Sequence, residues 1–138
     1  RDRSPSRGLG DVYKRQESGY LTGDMTQYEL ARAYYVWLCN NCVYDEGTVS
    51  SSSLSHLAYS ALVDGVAVCD GYTGAYDLLL RLEGIECTAL MNADHIWTVA
   101  ELDGTTYHID TTWGDQGTRM DMSFFGMTEA QSRAKHAW

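Results

Sequence analysis

Cys69, His95 and Asp110 supply a thiol, an imidazole and a carboxylate in that chain order, each in a run suited to its chemistry. Cys69 lies in Gly65-Val66-Ala67-Val68-Cys69-Asp70-Gly71-Tyr72, where an apolar extended approach gives way to a helical pattern. A helix start favours thiolate over thiol through the positive end of the macrodipole, and a neighbouring imidazolium favours it further. Gly71 permits close backbone approach, and the Cys69 amide, in the first turn, is available to an oxyanion. His95 follows in Asp94-His95-Ile96-Trp97 and Asp110 in Tyr107-His108-Ile109-Asp110-Thr111-Thr112-Trp113. A carboxylate behind an imidazole holds its tautomer and orientation, and the imidazole serves the thiol as base and then acid. A buried cysteine, a strand histidine or an aspartate ending a strand is ordinary when alone. Their concurrence points to a nucleophilic cysteine enzyme.

The elements that must position these groups are helices first and antiparallel strands afterwards, an α+β arrangement. Thr26 to Val43 reads as a helix, with Thr26 and Glu29 forming a capping box and Leu30, Ala33, Tyr34, Trp37, Leu38 and Asn41 at helical spacing. Gly47 to Ser53 reads as a polar loop and Leu54 to Val63 as a short helical or irregular segment. From Cys69 a second helix is expected, with Tyr72, Ala75, Tyr76, Leu79 and Leu82 as its stripe, Leu78 and Leu80 flanking it, and Gly84 as its stop. Ile85–Met91, His95–Leu102 and Thr105–Asp110 then read as strands, Ser123–Met127 as a further strand, and Thr128–Ala134 as a short helical turn.

Asp103-Gly104 is a two-residue hairpin signal, and it sets a register. Leu102 then faces Thr105, Val99 faces His108, Trp97 faces Asp110 and His95 faces Thr112. His95, Trp97, His108 and Asp110 therefore project from one side of the sheet, with His95 and Asp110 as diagonal neighbours. Ile96, Thr98, Ala100, Tyr107 and Ile109 take the other side as packing residues. Trp97 and Trp113 are expected to wall the site and contact substrate. His108 is expected to be a bystander near the hairpin tip, and His56 and His136, which belong to no visible constellation, to be structural or surface residues. Cys39-Asn40-Asn41-Cys42 has C-x-x-C spacing, but no second pair accompanies it. The two are read as packing residues, and neither a metal nor a cofactor is expected.

A chain of 138 residues is one domain on the usual length prior. A net charge of −9 argues against nucleic acid, whose phosphates demand basic patches. No apolar run approaches the roughly 20 residues of a membrane span. Residues 1–16 differ from the remainder: they hold five of the ten basic side chains and the sole proline, Pro5. This leader resembles the translation of a sequencing-adapter remnant and is expected to be non-native or disordered, leaving residues 17–138 as the folded domain, which could be a fragment of a longer protein.

The three runs resemble the motifs of the bacterial transglutaminase-like superfamily. The resemblance extends upstream through Tyr35-Val36-Trp37-Leu38-Cys39-Asn40-Asn41-Cys42-Val43-Tyr44-Asp45, and downstream to Phe124-Phe125-Gly126-Met127 and His136-Ala137-Trp138. It implies a papain-like fold, with Cys69 as nucleophile, His95 as general base and acid, and Asp110 as the orienting carboxylate. It also suggests the Tyr44 hydroxyl as a second oxyanion donor, against the alternative of a packed helix-end tyrosine. Ile96, where the family often has a small residue, and Thr98, where asparagine is common, depart from its pattern. The implied function is acyl transfer from peptide or isopeptide amides through a thioester, resolved by water in a protease or amidase. The alternatives are a transglutaminase, resolved by an amine, and a non-catalytic peptide- or glycan-binding module of a surface protein. The implied partner is a peptide or protein, cell-wall peptide included, and the implied location is extracellular or at the cell envelope of a bacterium.

Overall fold

The computed structural model describes residues 25–44 and 65–137. The expected leader, the 47–53 loop, the 54–63 segment and His56 lie outside the described residues. In chain order the elements are helix α1 (Gln27–Asn41), strands β1 (Val43–Tyr44) and β2 (Val66–Ala67), helix α2 (Cys69–Leu82), strands β3 (Cys87–Met91), β4 (Ile96–Leu102) and β5 (Thr105–Ile109), the one-turn helix α3 (Thr111–Gly114), a 3-10 turn (Met122–Phe124) and helix α4 (Glu129–His136). β3, β4 and β5 form an antiparallel sheet, and β1 pairs with β2 in parallel. The α+β expectation holds.

α1 begins where its capping box says it should, with Thr26 and Glu29 each satisfying the other's backbone N–H. Its buried face is wider than the expected stripe: Ala31, Tyr35 and Cys39 join Tyr34, Trp37 and Leu38, while Leu30 and Ala33 are half-buried. α2 packs between α1 and the sheet, with Tyr72, Ala75, Tyr76, Leu79 and Leu80 buried. Leu82 corrects the expected stripe. It is 67% exposed, and Leu80 takes the core position in the last turn. Tyrosine hydroxyls tie these layers together: Tyr76 donates to the Ala31 carbonyl at 2.6 Å and Tyr35 to the Asp121 carbonyl at 2.6 Å. Burying a large ring with its one polar atom paired gains apolar contact without an unsatisfied donor. Gly114 lies hard against Tyr35, where an added Cβ would come 1.7 Å from the hydroxyl oxygen. That close approach seats α3 on α1.

The β4–β5 register is the expected one from Leu102↔Thr105 through Val99↔His108 to Thr98↔Ile109. There the ladder stops, which corrects the last two expected pairs. Trp97 pairs with Leu90 of β3, and Asp110 leaves the sheet to cap α3. Ser123–Met127 is likewise not a strand. It holds the end of the 3-10 turn and a single bridge in which Met127 and His108 exchange backbone hydrogen bonds. α4 runs two residues beyond the expected turn, to His136.

The hairpin tip also anchors α1. Asp103 (φ 53°) and Gly104 (φ 84°) adopt the paired left-handed conformations of a tight two-residue turn. The Asp103 carboxylate accepts from the Gln27 and Tyr28 backbone N–H groups at 3.1 Å each, and the Asp103 N–H donates to Gln27 Oε1 at 2.8 Å. A residue 76 positions away thus supplies N-terminal capping that α1 would otherwise take from water. Asp103→Ala is expected to lower unfolding stability by about 1–2 kcal/mol, the usual range for loss of such a cap, with an unchanged denaturant slope in urea unfolding.

Candidate active site

Cys69 is half-buried at the start of α2, where the preceding Val68 offers no side-chain cap to the first-turn amides. Its sulfur lies 3.8 Å from Asp70 Oδ1. His95 is placed by an Asx turn just before β4: Asn92 Oδ1 accepts from the backbone N–H groups of Asp94 (2.9 Å) and His95 (2.7 Å). Asp110 is the N-cap of α3, its Oδ1 accepting from the Trp113 N–H at 3.0 Å. An aspartate cap bonded to the third helical N–H is the usual solution for a helix start. Here it also leaves the second oxygen aimed at the sheet.

That oxygen, Oδ2, receives His95 Nε2 at 2.8 Å. The carboxylate is 1% exposed and the imidazole 8%. Burial raises a carboxyl pKa, but hydrogen bonds from His136 and His95 outweigh it, and Asp110 is held below the usual carboxylate range. Burial works against a charged His95 too. The hydrogen bond to Asp110 and one with Cys69 prevail, pushing its pKa up to about 9. With Nε2 on Asp110, the ring's other nitrogen, Nδ1, remains for Cys69. The thiol, imidazole and carboxylate singled out in the sequence are thus brought together.

Trp113 stacks on His95 with ring centroids 4.4 Å apart and 12° between planes. A flat aromatic face against an imidazole favours its cationic form. His95, Trp113 and Tyr44 border a cavity of about 690 Å³, completed by Thr112, Asp115 and Phe124 among others. Tyr44, 41% exposed in β1, tilts against Tyr72 with ring centroids 6.3 Å apart. The Thr112 hydroxyl is buried without a hydrogen-bond partner. Trp97 departs from its expected place as a cleft wall. It is 1% exposed, does not border the cavity, and donates through Nε1 to His108 Nδ1 at 3.0 Å. Burial keeps His108 below the usual histidine pKa. Cys39 and Cys42 are buried and not joined in a disulfide, and Cys39 Sγ lies 3.6 Å from the Thr111 carbonyl.

His136 overturns the expectation that it belongs to no constellation. Its Nε2 is 2.8 Å from Asp110 Oδ2, its side chain is fully buried, and its ring lies flat on Trp97 at 3.8 Å and 6°. Nothing local in the sequence announces this, because His136 reaches Asp110 across 26 positions. Asn92 was equally unmarked, yet besides holding His95 it donates to the His136 carbonyl at 2.9 Å. Ligand atoms of His95, Asp110 and His136 lie within 4.8 Å of one another, so among the described residues these three form a group that could hold a metal ion. Both Nε2 atoms are engaged by the one carboxylate oxygen, so a metal there would have to displace two hydrogen bonds.

The sequence matches the family model of the transglutaminase-like superfamily over residues 15–138. The chain belongs to that superfamily, which includes cysteine proteases and transglutaminases. It is similar to the kyphoscoliosis peptidase of Homo sapiens, 24% identical over 106 residues, covering 64% of this chain and 16% of the human protein. The Mus musculus counterpart is 25% identical over 103 residues, covering 62% and 16%. The chain therefore spans about a sixth of the length of these curated relatives. Among solved structures, one described as a TGase superposes with a TM-score of 0.61 at 17% identity, covering 94% of this chain and 36% of the other. A candidate cysteine protease from Cytophaga hutchinsonii gives 0.51 at 21% identity, covering 72% and 37%. At such identities the structural likeness establishes the shared transglutaminase-like fold.

The raised His95 pKa has a consequence for stability. A histidine whose folded pKa exceeds its unfolded one stabilises fully below the unfolded value, near 6.5, and that contribution is lost as pH rises through about 9. Urea midpoints of the wild type are expected to fall across this window more steeply than those of Asp110→Asn, which removes the charge that favours the imidazolium. Parallel pH profiles of the two proteins would contradict the assignment.

Proposed function

We propose that this chain is a cysteine-nucleophile acyl-transfer enzyme acting on peptide or isopeptide amides, and that it hydrolyses them. The observation that carries the reading is His95 bonded through Nε2 to a buried Asp110 while its other side serves Cys69. In the proposed reaction the Cys69 thiolate attacks the amide carbonyl carbon, and the carbonyl π pair moves onto oxygen. The Cys69 backbone N–H and the Tyr44 hydroxyl are the candidate donors to that oxyanion. His95, as imidazolium, passes its Nδ1 proton to the departing amine, the C–N bond breaks, and a thioester forms on Cys69. Water then attacks the thioester as neutral His95 takes its proton. The acid is released, and the thiolate–imidazolium pair is restored. Asp110 keeps its charge throughout and holds His95 in register.

Hydrolysis is favoured by the peptidase name of the curated relatives and by the Cytophaga hutchinsonii candidate protease. Transamidation uses the same steps up to the thioester, and the TGase neighbour, which covers 94% of this chain, supports it as the second reading. Trp113, against His95 at the cavity wall, is proposed to contact substrate. Trp97, being buried, is not.

Incubation with a peptide library and a primary amine, followed by mass spectrometry, separates these readings. Cleaved peptides are the expected products, and amine adducts would establish transamidation instead. Cys69→Ala should abolish either product, and His95→Ala should slow formation by about 10²–10⁴-fold. Wild-type Cys69 should also be alkylated rapidly by iodoacetamide near neutral pH, and more slowly in His95→Ala. Labelling that proceeds only at alkaline pH and ignores His95 would leave a binding module as the better description.

A further inference from the structure

Asp110 engages two imidazoles through one oxygen, and only His95 borders the cavity. His136 is sealed behind it with no side-chain exposure, so it cannot touch a substrate. An ionised carboxylate oxygen has no proton to share, so both Nε2 atoms must present N–H to it. His136 is well placed to do this. Its Nδ1 lies 3.0 Å from Ser132 Oγ and 3.1 Å from the Ser132 carbonyl oxygen, which hold the ring by its far side while Nε2 points at Asp110.

We propose that His136 is a positioning residue, whose Nε2–H pins Asp110 Oδ2 beneath His95 and thereby fixes the His95 ring facing Cys69. The proposal rests on the reading of Cys69, His95 and Asp110 as the reacting set, and adds a residue outside it. The Trp113 N–H holds Oδ1 alone, which leaves the carboxylate a hinge about its own axis. The second donor on Oδ2 closes that hinge. His136 is rigid enough for the purpose: it stacks on Trp97, Trp97 is tied to His108, and the His136 carbonyl accepts from Asn92, the residue whose other amide atom holds the His95 backbone. One asparagine thus sets the distance between the two histidines.

The charged and titratable groups facing this set are known from each packed element. Cys69, with Asp70 beside its sulfur, comes from α2. Tyr35 and Cys39 come from α1, and Tyr35 senses the Asp110 charge. His108 comes from β5 and senses His136.

The test is the titration of His95, followed by ring ¹⁵N NMR of the full chain in the presence of a chelator. His136→Phe keeps a flat ring on Trp97 but removes the N–H, and is expected to lower the His95 midpoint by about one pH unit, because a carboxylate free to turn on its axis bonds the imidazolium less well, and this outweighs the loss of a competing donor on Oδ2. His136→Gln, whose amide can still donate, should restore most of the shift. An unchanged midpoint in His136→Phe would make His136 a packing residue only. A raised midpoint would mean that it competes with His95 for Asp110, and a glutamine variant as low as phenylalanine would exclude the hydrogen bond as the agent. Each of these overturns the proposal. If His136→Phe does not fold, Ser132→Ala, which removes the hydroxyl from His136 Nδ1 but keeps the Ser132 carbonyl 3.1 Å away and the stack intact, should give a smaller downward shift, and no shift would count against it. Because the titration needs no turnover, it stays readable if iodoacetamide labelling fails to support the catalytic reading.

Discussion

A carboxylate removed from water stays ionised only where fixed donors replace its hydration, and the rest of this site depends on how that is done for Asp110. Three N–H groups converge on it from three separate elements: His95 from the loop before β4, Trp113 from within α3, and His136 from the end of α4. Each of those elements is in turn held for reasons of its own. α3 exists because Asp110 caps it and Gly114 admits Tyr35, and α4 has its own capping box at Thr128 and Gln131. The anion therefore reports on the correct assembly of the sheet, the 3-10 turn and both short helices. If any of them is misplaced, a buried charge loses a donor, which costs more than an ordinary contact.

The aromatic residues divide into two groups with different physical tasks. The tyrosines of α1 and α2 fill the core between helices, and their hydroxyls find partners on other elements. Burial, the largest influence on each, keeps Tyr35, Tyr72 and Tyr76 protonated and so available as donors. The tryptophans and histidines near Asp110 instead form a stack, Trp113 on His95 and Trp97 on His136, which excludes water from the carboxylate and keeps its hydrogen bonds in a low-dielectric setting. Asp77 shows the contrast. Also buried and bonded to Thr98, it has its pKa raised to about 6 by burial, because a hydroxyl is a weaker counterweight than two imidazoles.

Much of this was legible in the chain. Capping residues are local signals, so the start of α1 could be read from Thr26 and Glu29, and the hairpin from Asp103-Gly104. The register that the turn imposes already places His95 near Asp110. It failed at its far end because Asp110 has a stronger local option. As an N-cap it bonds Trp113, three residues on, and that takes it out of the ladder. Leu82 failed for a similar reason: helical periodicity says which side a residue is on, not whether the neighbouring layer extends far enough to cover it. Trp97 was read as a wall because it shares the sheet face of His95, but α4 lies over that face and buries it.

By itself, then, the sequence determined the long helices, the three-stranded sheet, the hairpin with most of its register and the three groups proposed for acyl transfer, since each is encoded by neighbours within a few positions. What only the tertiary structure decided is which face of the sheet stays open and which is covered. That choice belongs to α4, whose contacts with β5 and Asp110 join residues far apart in the chain and leave no periodic trace. It puts His136 rather than solvent beside the carboxylate, and so makes Asp110 a fixed anion shared by two imidazoles.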